Sequence, residues 1–91
     1  MSNEKTKTIA LTVAGVSLTF EPNKTAFNGL INEMTMTNKV APHVTYLGRI
    51  ISPDCKTQLN ELLDKYPGVE MQIAEKVNSV YSPQVEIELK N

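Results

Sequence analysis

Few side chains in this sequence could do chemistry, and their spacing limits what that chemistry could be. The single histidine, His43, follows Pro42 at what reads as a helix start, and the single cysteine, Cys55, follows Pro53 and Asp54. A zinc site draws three or four ligands from cysteine, histidine and carboxylates, so this pair cannot supply a typical set. As a general base His43 would need an orienting partner, and no sequence feature nominates one. A helix N-terminus can lower a thiol pKa, which would suit a reactive Cys55. Asp54 opposes that effect, and Cys55 lies on the apolar stripe that continues to Leu59, so a packed, inert thiol is the expectation. Carboxylate pairs do acid–base work when their surroundings push their pKa values apart. Asp54 and Asp64 lie near one face of a predicted helix without sharing it, and Glu86 and Glu88 share the polar face of a predicted strand. Both pairs read as solvated. Gly15, Gly29, Gly48 and Gly68 form no phosphate-cradling run. No catalytic residue, cofactor site or metal site is expected, and the chain does not read as an enzyme.

With chemistry set aside, composition bounds the rest. The 91 residues, 41% apolar and 21% charged, suit one small globular domain with a modest core. Nine basic and ten acidic side chains give a net charge of −1, and the lysines are scattered. Nucleic-acid binding draws on clustered cations that displace counterions from phosphates, and no such cluster is visible. With no Trp, two Phe and three Tyr there is no aromatic platform for stacking bases. A lone cysteine allows no internal disulfide and favours a reducing compartment. The polar start and the alternating stretch after it fit neither a signal peptide nor a membrane span of roughly 20 residues. The cytoplasm is the expected location. Asn23-Lys24-Thr25 matches a glycosylation sequon, which in that compartment is a coincidence.

The elements follow from periodicity. Residues 1–7 read as a flexible N-terminus and 8–91 as a single α+β domain. Ile9, Leu11 and Val13 alternate with polar or small residues, and so do Val16, Leu18 and Phe20 beyond Ala14-Gly15. Closed as a two-residue hairpin, the pattern puts Val13 opposite Val16, Leu11 opposite Leu18 and Ile9 opposite Phe20, all on one face. Phe27, Leu30, Ile31 and Met34 form the stripe of a first helix, with Asn23 favoured over Thr25 as its cap. Gly29 weakens that helix and would let another backbone approach closely. Pro42 suits the first turn of a second helix, whose apolar side reads as Val44, Leu47 and Ile51, with Ile50 beside it.

Ser52-Pro53-Asp54 restarts a third helix carrying Leu59, Leu62, Leu63 and Tyr66, with Glu61 and Lys65 as an i,i+4 pair. Pro67-Gly68 ends it. Val69, Ile73, Val77 and Val80, with Ala74 and Tyr81 alongside, outline a fourth. Val85, Ile87 and Leu89 alternate with Glu86 and Glu88 as a last strand, expected to join the hairpin. The fold class is therefore α+β: an N-terminal β-hairpin and a C-terminal strand in a small antiparallel sheet, packed by about four helices.

Four helices are more than one face of such a sheet can cover, which leaves an apolar stripe for a partner. Met34, Met36 and Val40 bracket the connector between the first two helices, and methionine suits a tolerant binding surface. Together with Val44, Leu47 and Ile51 they are the candidate partner-binding residues.

The sequence as a whole also resembles the small tail assembly chaperones of tailed bacteriophages. The resemblance runs from Thr8 to Lys90 and rests on the order and spacing of short pieces. These are Leu-Thr-Val-Ala-Gly at 11–15, Phe-Glu-Pro at 20–22, Ile-Asn-Glu-Met at 31–34 and Asn-Lys-Val-Ala-Pro at 38–42. Ile-Ala-Glu-Lys-Val-Asn at 73–78 and Pro-Gln-Val-Glu-Ile-Glu-Leu-Lys at 83–90 complete them. It implies a non-enzymatic assembly factor that binds the long helical tape measure protein and keeps it soluble while the tail tube assembles. It also implies the tail tube subunits as further partners. A holdase covering repeated apolar stripes would act in several copies, so a homo-oligomer is expected. The competing expectation is a small structural tail or head-completion protein retained in the virion. No membrane or nucleic-acid partner is expected.

Overall fold

The alternating residues 9–20 form a β-hairpin in the computed structural model, which describes residues 8–82 and 87–89. Strands β1 (Ile9–Val13) and β2 (Val16–Phe20) pair antiparallel, Ile9 opposite Phe20, Leu11 opposite Leu18 and Val13 opposite Val16. This is the predicted register. Between the strands, Ala14 and Gly15 take φ of 51° and 81°, the positive pair that a type I′ turn requires. Glycine adopts it freely; for Ala14 the left-handed region costs about 1–2 kcal/mol.

Four helices follow among the described residues: α1 (Lys24–Glu33), α2 (Val40–Ile50), α3 (Lys56–Lys65) and α4 (Val69–Tyr81). Asn23 caps α1, its side-chain oxygen accepting from the Ala26 amide at 2.8 Å, a bond worth about 1 kcal/mol. Pro42 sits in the first turn of α2, where no donor is missed. Ser52 and Pro53 open a single 3-10 turn, Pro53–Cys55, that leads into α3. Gly68, at φ 85°, supplies the left-handed residue before α4.

The core joins one face of the hairpin to all four helices. Ile9, Leu18 and Phe20 meet Ala26 and Leu30 of α1, Tyr46, Leu47 and Ile50 of α2, Leu59 and Leu62 of α3, and Val69, Ile73, Ala74 and Val77 of α4. Four stripe residues depart from expectation, Tyr66 among them at 39% exposed. Ile31 is half exposed, because Ala26 and Leu30 centre the buried side of α1. Val80 is also exposed, while Tyr81 beside it tilts against Phe27 with ring centroids 6.0 Å apart. On α2 the buried side is Pro42, Tyr46, Leu47 and Ile50, which turns Val44 outward. Nor is the expected Glu61–Lys65 pair formed: the Lys65 ammonium lies 5.8 Å from the Tyr66 ring centre instead. The space beside Gly29 is taken not by a backbone but by the Arg49 guanidinium; a Cβ there would lie 2.7 Å from its Nη1.

The third strand expected at 85–89 is not seen. Among the described residues the sheet has two strands, and Ile87 and Leu89 stand 85% and 90% exposed outside it. Val85 and Glu86 lie outside the described residues, as do residues 1–7. One place where a third strand could add is already filled. The segment after α2 lies along β2, with an isolated bridge pairing Ile51 with Phe20. The Ser52 amide donates to the Thr19 carbonyl at 2.9 Å, and the Glu21 amide to the Ile50 carbonyl at 2.7 Å.

Candidate partner-binding surface

The residues with chemical potential lie apart from one another and have local roles. His43 sits in the first turn of α2, where its amide and its Nδ1 both approach the Lys39 carbonyl, at 3.3 and 2.6 Å. It therefore helps close the start of a helix that has no side-chain cap. Cys55 is half buried, and its sulfur lies 3.9 Å from the Ser17 carbonyl oxygen on the outer side of β2. No three His, Cys, Asp or Glu side chains among the described residues are grouped to hold a metal ion. Asp54 and Asp64 are exposed.

Two buried polar groups escaped the sequence reading. Tyr46 is fully buried, and its hydroxyl donates to Asn78 Oδ1 at 2.7 Å, tying α2 to α4 across the core. Burial pushes its pKa from 10.0 up to about 12, helped by the nearby Tyr81. Glu70, buried in the first turn of α4, is placed where the helix dipole favours a carboxylate. Only the spacing Tyr46–Ile50, at i,i+4, could have marked Tyr46 as core.

The predicted surface separates into two layers. Leu47 and Ile51 are buried, so they support α2 from beneath. Met34, directly after α1, is half buried. Met36, Val40 and Val44 are exposed, at 89%, 55% and 37%. The loop that carries Met36 is held by its own polar groups. The Thr35 amide donates to the Asn38 carbonyl at 3.1 Å, and Lys39 Nζ reaches the Thr35 and Met36 carbonyls at 3.2 and 3.4 Å. A loop closed in this way spends its backbone polarity on itself and turns a methionine to solvent. Arg49 and Glu33 brace the pair of helices behind it at 3.5 Å, an exposed contact worth little by itself. An apolar rim of this kind can bind a hydrophobic segment by contact alone, with no requirement for a particular sequence.

The concave features along α4 are shallow. A groove of about 320 Å³ runs between β1 and α4, lined by Leu11, Val13, Val69, Ile73 and Lys76 among others. A second, of about 350 Å³, continues along the outer side of α4 at Gln72, Glu75, Lys76 and Ser79. Neither brings His43 or Cys55 to its walls. Among the described residues no helix is long and apolar enough to cross a membrane.

Comparison with known proteins gives the chain a family. Residues 9–91 match a family model described as phage tail assembly chaperone. The chain is also 36% identical over 83 residues to a protein of Haemophilus phage HP1 (strain HP1c1), described as an uncharacterized 11.3 kDa protein in the lys 3' region. That alignment covers 91% of this chain and 80% of the phage protein. No solved structure matches. A family match that takes in the hairpin, the four helices and the C-terminal residues leaves one conclusion: the chain belongs to the phage tail assembly chaperone family.

Proposed function

We propose that this protein is a non-enzymatic chaperone that binds the tape measure protein of a phage tail and keeps it soluble during tube assembly. The observation that carries the proposal is the exposed rim of Met36, Val40 and Val44, set on a buried base of Leu47 and Ile51, in a chain of this family. A tape measure protein presents long helices with apolar stripes, which aggregate until the tube encloses them. A rim of flexible and branched apolar side chains can cover such a stripe and release it later, because contact without buried ion pairs gives moderate affinity. Several weak copies along one long helix hold it better than one strong site. We therefore read the working form as a homo-oligomer in the host bacterial cytoplasm, with tail tube subunits as later partners.

Co-expression with the long helical tail protein of the same phage, followed by purification through a tag on this chain, tests the proposal. The long protein is expected to be soluble only in the presence of this chain and to elute with it. A Val40→Asp/Val44→Asp variant that melts like the wild type is expected to lose that effect. If the long protein stays insoluble and this chain is found in finished particles, it is a structural tail or head-completion component instead.

A further inference from the structure

The hairpin pairing dictates which backbone groups face outward. Val13 and Val16 flank the turn, so residues 9, 11 and 13 direct their amides and carbonyls at β2, as residues 16, 18 and 20 do at β1. The groups that face away are those of Ser17, Thr19 and Glu21 on one side and Ala10 and Thr12 on the other. Three of the first set are taken up: the Thr19 carbonyl by Ser52, the Glu21 amide by Ile50, the Ser17 carbonyl by the Cys55 thiol. Ala10 and Thr12 are exposed, and no hydrogen bond reaches their outward groups among the described residues. Beside this open edge lies the groove between β1 and α4, walled by Leu11, Val13, Val69 and Ile73. Leu11 and Val13 lie on the core face yet are only half buried. The site thus offers unpaired strand hydrogen bonds and, next to them, an apolar trough.

The same molecule carries the complement. Val85, Ile87 and Leu89 alternate with Glu86 and Glu88, the pattern of a strand with one apolar face. Yet Ile87 and Leu89 are 85% and 90% exposed. Direction explains why the chain's own edge is a poor acceptor. α4 begins beside the hairpin turn, since Val69 and Ile73 share the groove with residues 11–14. It ends at the hairpin's open end, since Tyr81 packs against Phe27 of α1, which follows β2 closely. A tail turning back from Ser82 would run parallel to β1, the slightly weaker pairing. A second copy can offer its tail antiparallel.

We propose that copies of this chain join by strand exchange, the C-terminal 85–89 segment of one adding to the open β1 edge of the next. Pairing satisfies the outward groups of Ala10 and Thr12 and drops the apolar face of the tail against Leu11, Val13, Val69 and Ile73. It removes an exposed strand edge and an exposed apolar tail in one step. Each copy has one tail and one edge, so the contact is heterologous and propagates head to tail. The inference rests on the oligomer reading above but not on tape measure binding, so the two can fail separately.

Sedimentation of the full-length chain, by itself, tests the exchange. The wild type is expected to rise above the monomer mass of 10.1 kDa with concentration. Ile87→Asp/Leu89→Asp lacks the tail and Thr12→Pro blocks the edge, so each alone is expected to stay at the monomer mass. Mixed in equal amounts, they retain one intact tail and one intact edge, and the mixture is expected to stop at twice that mass. A wild type that stays monomeric, variants that assemble like the wild type, or a mixture that does not pair would each overturn the proposal. Hydrogen exchange on the wild type reads the edge even if Thr12→Pro does not fold. The Ala10 and Thr12 amides are expected to slow by about tenfold or more on assembly, and unchanged rates would count equally against the exchange.

Discussion

Along β2 the outward carbonyls of Ser17 and Thr19 and the amide of Glu21 are met by the segment that follows α2, while along β1 the outward groups of Ala10 and Thr12 meet nothing among the described residues. The two strands are alike in length and pattern, IALTV against VSLTF. What separates them is the path of the chain afterwards. α2 delivers Ile50, Ile51 and Ser52 to β2, and Ile51 and Phe20 become core as a result. At β1 nothing equivalent arrives among the described residues, and Leu11 and Val13 stay half buried beside a groove. Period-two alternation therefore tells which residues face the core, but not which edge the rest of the molecule will cover.

The largest effect expected on the closed side is at its packing. Phe20→Ala removes a fully buried ring that sits beneath the Ile51 bridge, and is expected to cost about 3–5 kcal/mol in urea unfolding. A loss below about 1 kcal/mol would mean that this side is not the core. Next comes Tyr46, which fastens α2, and with it the closing segment, to α4. Its folded pKa is raised from 10.0 to about 12, so the folded state holds its proton longer than the unfolded chain. Stability from this group is complete below pH 10 and is lost as pH rises toward 12. Tyr46 is expected to account for about 2–3 kcal/mol of that loss, and Tyr46→Phe should flatten the alkaline limb of a stability-against-pH curve.

A proline on each edge compares them directly. Ser52 already has φ −64°, so Ser52→Pro fits the local backbone and chiefly removes the amide that serves Thr19. A cost of about 1–3 kcal/mol is expected from the carbonyl left without its donor. Thr12→Pro removes an amide that serves nothing among the described residues, and its cost is expected below about 1 kcal/mol. Equal melting of the two variants would erase the distinction between the edges. The smallest effect lies at the turn that joins them. Ala14→Gly relieves a left-handed alanine, and a gain of up to about 1 kcal/mol is expected in the same unfolding assay.

Much of this was legible in the sequence. The hairpin register, the Asn23 cap, the helix breaks at Ser52-Pro53 and Pro67-Gly68, and the placing of Leu59, Leu62, Ile73 and Val77 in the core all follow from local pattern. The errors came from tertiary choices. Tyr46 is missing from the predicted stripe of α2, because its hydroxyl meets Asn78 only in the folded chain. Val44 and Ile51 lie on one predicted stripe, yet a buried side centred on Pro42, Tyr46 and Ile50 leaves the first exposed, and the second is buried beside its bridge to Phe20. Of the candidate surface, Met36, Val40 and Val44 are accessible because the connector bonds to itself, which alternation and helical spacing do not encode. The C-terminal alternation is a strand pattern that finds no partner in the described fold.

The account turns on the rim between α1 and α2. Hydrogen exchange of this chain with and without its co-expressed tape measure protein tests it most directly. Protection is predicted to rise across residues 35–44 on complex formation and to change little along the 50–55 segment, which is already closed by β2. Unchanged exchange at 35–44, with protection gained elsewhere on the molecule, would contradict it.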